Sequence, residues 1–173
     1  MRLPARGAVT GWAACRLWGA NFFDGLLSDG VARIPVPLVI GPRARLRDHA
    51  HVSLHRDRLD PGEVATICGI RCTRPLRALF DAMRMACCVR EAVVAMDMMA
   101  AAKLVSIKRM RAYLSKRRGW NGAPQVAAAL ELASERSWSP NETRMRLIWE
   151  LDAGLPRPLV NQHIWGRSGN LLG

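Results

Sequence analysis

CGIRCTRPLRALFDAMRMA, residues 68–86, changes its hydrophobic period part-way, and that change decides the architecture. CGIRCT (68–73) reads as a short strand. RPLRALFDAMRMA (74–86) spaces Leu76, Leu79, Phe80 and Met83 as a helical stripe, with Thr73 as N-cap and Pro75 in the first turn. Upstream the chain continues in strand pattern. IPVPLVIG (34–41) reads as a strand pushed towards a sheet edge by its prolines, and HVSLHR (51–56) as its hairpin neighbour. LDPGEV (59–64) is a turn. Downstream the pattern is helical: 89–102, apolar on most sides and therefore expected to be buried; 106–118, capped by Ser106 and burying Ile107, Met110 and Leu114; and 122–134. Strands early and helices late predict an α+β fold, a small mixed sheet followed by a helical region. No repeat of solenoid period is present.

AVTGWAACRLWG (8–19) predicts a short helix with Thr10 as N-cap, Trp12, Cys15 and Trp18 on one face and Gly19 as stop. Near the other end, Ser139-Pro140-Asn141-Glu142 is a capping box. The Ser139 hydroxyl would accept the residue-142 amide while Glu142 reaches back to the Ser139 amide. The helix it opens is followed by PLVNQHIW (158–165), which reads as a strand.

With 173 residues, half of them apolar, the chain has material for one compact domain, or one domain and a fragment of a second. No apolar run approaches the roughly 18 residues that span a bilayer. MRLPARGAVTGW has no apolar signal-peptide core, so a soluble, cytoplasmic protein without a membrane partner is expected. A net charge of +12 favours polyanions, nucleic acid first. The cations cluster. Arg43, Arg45 and Arg47 lie in one loop, and Lys103, Lys108, Arg109, Arg111, Lys116, Arg117 and Arg118 lie in a stretch, Met98 to Leu130, without an acid. Such a helix is either a solvated face with cations suited to the helix dipole or a phosphate-contacting surface; the sequence leaves both open.

The remaining candidate chemistry is sparse. Five cysteines (Cys15, Cys68, Cys72, Cys87, Cys88) lack the paired spacings of a zinc site and read as free, buried thiols, with Cys87 and Cys88 pointing apart. His49, His51 and His55 cluster on the predicted hairpin near Asp48 and Asp57 and read as solvated edge residues. Asp81 reads as a structural carboxylate paired with Arg77 or Arg84 at helical spacing.

The order of these segments resembles the actinobacterial AbiEi-like antitoxins of type IV toxin–antitoxin systems. Members show an "SGWSAA-LWG" helix, a "VPV-VP" strand and then "GV-VHR-x-LPPGDV…G-RVTSP-RTAFDLAR". Here the matching positions are Gly11 to Ala14 with Leu17 to Gly19, Val52 to Arg56, Leu59 to Val64, Gly69 to Thr73 and Pro75 to Asp81. The winged helix that precedes "SGW" in longer members has no counterpart. SPNETRMRLIWELDAGLPRPLVNQHIW is similar to the start of the endonuclease-like domain that follows, which resembles very-short-patch-repair nucleases of the PD-(D/E)xK class. The resemblance therefore implies an antitoxin-type domain over 1–134 and a truncated endonuclease-like helix and strand over 135–173. Glu142 is a weak catalytic candidate, because a lone Glu cannot hold the Mg²⁺ such chemistry needs. The expectation is a non-catalytic protein with no cofactor and no metal site, binding a toxin or nucleic acid. The alternatives are a Mg-dependent DNA endonuclease completed by a partner chain, as in a homodimer exchanging the C-terminal strand, or an inactive remnant.

Overall fold

The computed structural model describes residues 7–27, 30–47, 49–163 and 165–171. Five short strands, β1 (Ala8–Val9), β2 (Val36–Val39), β3 (Val52–His55), β4 (Val64–Ile67) and β5 (Ile70–Thr73), form one mixed sheet in the order β3-β2-β1-β5-β4. Around it stand α1 (Gly11–Leu17), α2 (Pro75–Arg84), α3 (Val89–Ala101), α4 (Ile107–Ser115), α5 (Ala123–Leu132) and α6 (Pro140–Leu147). The fold is α+β, as the sequence predicts.

The sheet departs from expectation in instructive ways. β2 is not an edge strand. It lies between β3, to which it runs parallel with Val36 opposite Val52, and β1, to which it runs antiparallel. The parallel pairing also excludes a β2–β3 hairpin. Pro37 is tolerated in this interior position because its neighbour has just ended. The Pro37 carbonyl accepts the Thr10 amide at 2.9 Å, while the Thr10 carbonyl already accepts the Ala14 amide of α1 at 3.3 Å. The N–H that proline lacks would have found no ladder partner there. Gly11 makes the sharp exit from β1 into α1, with φ of 54° and no Cβ to meet Pro37, whose Cγ would lie 2.9 Å away.

The predicted turn at 59–64 is a 3-10 turn at Pro61–Glu63, and it leads into β4, a strand the sequence reading missed. β4 and β5 form a hairpin through Cys68 (φ 49°) and Gly69 (φ 76°). Both residues are left-handed, as a type I′ turn requires. Residues 8–9 are a strand and not the first turn of the helix, and Thr73 ends β5 while Arg74 takes the N-cap of α2.

The core forms where α2 packs against α1, α3 and α5. Leu79, Phe80 and Met83 of α2 are fully buried, as the stripe predicts, and so is most of α3 from Ala92 to Met99. Phe80 meets Tyr113 and Trp120 edge-on, with ring centroids 5.6 and 5.9 Å apart. Such contacts add about 0.5–1.5 kcal/mol each beyond area burial. Beyond α6 the chain makes a π-helical turn (Ile148–Asp152), and the predicted strand over 158–165 is not formed in its described part. Among the described residues no helix is long and apolar enough to cross a membrane.

Candidate functional site

α4 is held at its N-terminal end by two contacts. The Ser106 hydroxyl accepts the Arg109 amide at 3.3 Å, and Glu135 accepts the Ile107 amide at 2.6 Å. Met110 and Leu114 are buried. With that stripe inward, Lys108, Arg109, Arg111 and Lys116 are exposed, and Arg118 is exposed just beyond the helix.

The predicted cations separate into two groups. The side chains of Lys103, Lys108, Lys116 and Arg118 make no hydrogen bond or ion pair among the described residues, and neither do those of Arg43, Arg45 and Arg47 in the 41–47 loop. Arg109 donates to the Leu104 carbonyl at 3.2 Å, and Arg111 to the Leu130 carbonyl and, at 3.3 Å, to Glu131. Arg117 leaves the candidate site altogether. It pairs with Glu63 at 2.6 Å, lies 3.6 Å over the Tyr113 ring and is only 14% exposed. A sequence window without acids did not foresee this, because Glu63 arrives from the start of β4. No hydrogen bond or ion pair among the described residues joins the 41–47 loop to α4. Lys103 follows α3 in the left-handed region (φ 57°), with the Leu104 amide donating back to the Met99 carbonyl at 3.1 Å. Glycine is the usual occupant of that position.

Arg117 belongs to a buried network centred on Asp81. Asp81 Oδ2 accepts the Thr10 hydroxyl at 2.6 Å and Arg77 Nε at 2.8 Å, and Oδ1 accepts Arg84 Nε at 2.8 Å. Thr10 directly follows β1 and Thr73 ends β5, parallel neighbours, and their hydroxyls lie 3.0 Å apart. Arg77 continues to Glu63 at 3.0 Å and Arg84 to Asp57. Asp57, Glu63 and Asp81 thus face Arg77, Arg84 and Arg117. The sequence offered Arg77 or Arg84 as the partner of Asp81; both are. Thr10 stands at the N-cap of α1 but turns its hydroxyl to Asp81 and does not cap the helix. Burial pushes the Tyr113 phenol well above its ordinary range, and the hydrogen bond it donates to Glu63 adds to that.

Glu142 occupies a cap. The Ser139 hydroxyl accepts the Glu142 amide at 3.2 Å and donates to Oε1 at 3.0 Å. Oε2 accepts the Trp138 amide at 3.0 Å, where Ser139 was expected, and the Asn161 amide group at 2.9 Å. The Trp138 amide, then Asn161 and Ser139, hold this carboxyl below its ordinary 4.5. The histidines do not converge. His49 and His51 lie with their rings tilted and centroids 5.6 Å apart, whereas His55 bonds Ser53 at 3.0 Å, and burial followed by the nearby Arg84 lowers its pKa.

The sequence reading also missed a cleft of about 910 Å³ between residues 22–27 and 30–35, the end of α2, α3 and the start of α6. Trp12, Phe23, Leu26, Met85, Val94 and Met98 line it, with Glu91 and Arg144 paired at one side, 3.0 Å apart. Its walls come from segments far apart in the chain, so no local pattern announces it. No protein-family model matches the chain, and neither a curated protein nor a solved structure matches it.

Proposed function

We propose that this protein is a non-catalytic, antitoxin-like binding protein that contacts the phosphate backbone of nucleic acid through the basic surface around α4. The observation that carries the reading is the set Lys103, Lys108, Lys116 and Arg118, exposed and without an ion pair among the described residues while other arginines of the chain are drawn into internal networks. Such cations release condensed counterions on binding and position a protein without reading sequence. The resemblance of residues 11–19, 52–56, 59–64 and 69–81 to AbiEi-like antitoxins supports binding over catalysis, as does the engagement of both Glu142 oxygens in a helix cap. Exposed Met145, Ile148, Trp149 and Leu155 favour, as a second surface, a protein partner such as the toxin that the resemblance implies.

Fluorescence anisotropy with a short DNA duplex tests the reading. Four phosphate contacts give a slope of about −3.6 in log K against log[salt], or roughly a 150-fold loss of affinity between 50 and 200 mM salt. Lys103→Gly is the informative variant. It removes a cation and relieves a left-handed backbone, so weaker binding cannot be ascribed to a damaged fold. A shallower salt slope in Lys103→Gly, Lys108→Ala and Arg118→Ala is expected. Binding unaffected by salt, or unchanged from the parent in all three variants, refutes the proposal.

A further inference from the structure

The sequence predicts that Cys87 and Cys88 point apart; the structure brings them together. Both are exposed, and their sulfur atoms lie 4.0 Å apart. The backbone on either side is fixed. Gln125 of α5 donates through Nε2 to the Met83 carbonyl at 2.8 Å and the Ala86 carbonyl at 2.9 Å, pinning the end of α2. Cys88 is the N-cap of α3 in extended conformation, and its carbonyl accepts the Ala92 amide at 3.1 Å. Two thiols are thus held side by side on a braced turn at the edge of the cleft, which Cys87 helps to line.

We propose that Cys87 and Cys88 form a two-sulfur site for a soft, thiophilic centre of low coordination number, namely copper(I) or a monosubstituted arsenic(III). The separation suits a bridging atom. Two metal–thiolate bonds of about 2.3 Å spanning this gap close at an angle of about 120°, near trigonal. A disulfide suits the pair poorly. Consecutive Cα atoms are about 3.8 Å apart, below the roughly 4.4–6.8 Å that disulfide geometry asks for. Thiolate ligands select soft centres over calcium or magnesium. The nearest carboxylate on α3, Glu91, is held by Arg144 through two hydrogen bonds of 3.0 Å, which leaves the two sulfurs as the ligands. The remaining cysteines lie elsewhere, Cys15 and Cys72 buried and Cys68 in the β4–β5 turn.

The chemistry involves no oxidation or reduction. An organic arsenoxide (R–As=O) forms two As–S bonds, and its oxygen leaves as water with both thiol protons. Copper(I) displaces the same two protons to solvent.

The test uses the reduced, full chain, with phenylarsine oxide followed by intact mass and copper(I) by competition with a chromophoric chelator. One arsenical per chain is expected, resistant to excess monothiol and released by a dithiol, because chelation by two sulfurs outlasts a single bond. Cys87→Ser and Cys88→Ser each abolish that resistant adduct and the copper(I) competition, whereas Cys68→Ser keeps both. Serine is a favoured N-cap, so Cys88→Ser preserves the start of α3, which circular dichroism checks. A monothiol-resistant adduct that survives in either serine variant, or failure of both probes on the parent protein, overturns the site. So does ready loss of two hydrogens under mild disulfide exchange, which would mark a redox pair.

Discussion

Asp81→Ala is the sharpest probe of how this fold is held, because three hydrogen bonds, two of them ion pairs with arginines, converge on one fully buried carboxylate. Its removal leaves Arg77, 1% exposed, and Arg84, 6% exposed, without their shared counter-charge, and leaves the Thr10 hydroxyl with Thr73 alone. Breaking a buried pair from one side costs about 3–5 kcal/mol. Here Arg77 keeps Glu63 and Arg84 keeps Asp57, so the lower end applies, about 3 kcal/mol. For a chain of this size each kcal/mol moves Tm by about 2–4 °C, giving a fall of about 6–12 °C. Urea unfolding followed by circular dichroism measures the energy, and a thermal melt checks the shift. Arg111→Ala is the control. Its pair with Glu131 is 53% and 75% exposed, and loss of such a pair changes stability by no more than about 0.5–1 kcal/mol. If Asp81→Ala and Arg111→Ala destabilise equally, the buried network contributes nothing special and the reasoning fails.

Two further outcomes follow from local geometry. Gly122 and Gly69 have nearly equal backbone angles, φ 80° and 76°, so alanine costs both about 1 kcal/mol of left-handed strain. Only at 122 does the added Cβ meet backbone, lying 2.7 Å from the Arg84 carbonyl oxygen, whereas at 69 nothing lies within 4 Å. Urea midpoints should therefore show Gly122→Ala destabilised by about 1–3 kcal/mol more than Gly69→Ala; equal losses would mean that α2 yields freely there. Glu142→Gln tests the cap through pH. The Glu142 pKa is lowered in the fold, so its stabilising contribution is complete above the ordinary 4.5 and is lost as pH falls through the folded value. The stability gap between parent and variant should be full at neutral pH and close in the acid range, and a gap independent of pH would remove the carboxylate from the cap.

What the sequence made legible is what local chemistry dictates. The period of Leu76, Leu79, Phe80 and Met83 predicted α2, and Ser106 and Ser139 marked the starts of α4 and α6, where both hydroxyls accept the expected amides. β4 was missed because Cys68-Gly69 is not a familiar hairpin pair, although Cys68 adopts the left-handed angle that asparagine adopts more readily. Pro37 misled for a non-local reason: whether a missing N–H matters depends on where β1 ends. The same limit applies to the candidate site. Nothing near Arg117 in sequence shows that Glu63 lies against it, and nothing in the pair Cys87-Cys88 fixes two side-chain rotamers.

The carboxylates show how a chain of +12 assembles without leaving its interior charged. Asp57, Glu63 and Asp81 neutralise three arginines beside the sheet. Asp97, fully buried, accepts Arg146 and the Thr143 hydroxyl at 2.9 Å each, tying α3 to α6, and Glu91 and Asp152 secure Arg144 and Arg90 across the same junction. Asp60, Glu131 and Asp152 stay more than half exposed but are already paired, with Arg58, Arg111 and Arg90, and the Lys108 and Arg118 side chains have no ion pair among the described residues. A charge swap inside either buried network would therefore act on stability and leave polyanion affinity alone, while removal of Lys108 or Arg118 would do the reverse. That opposition follows from where the acids sit, and a random scatter of the same 14 acids would not produce it.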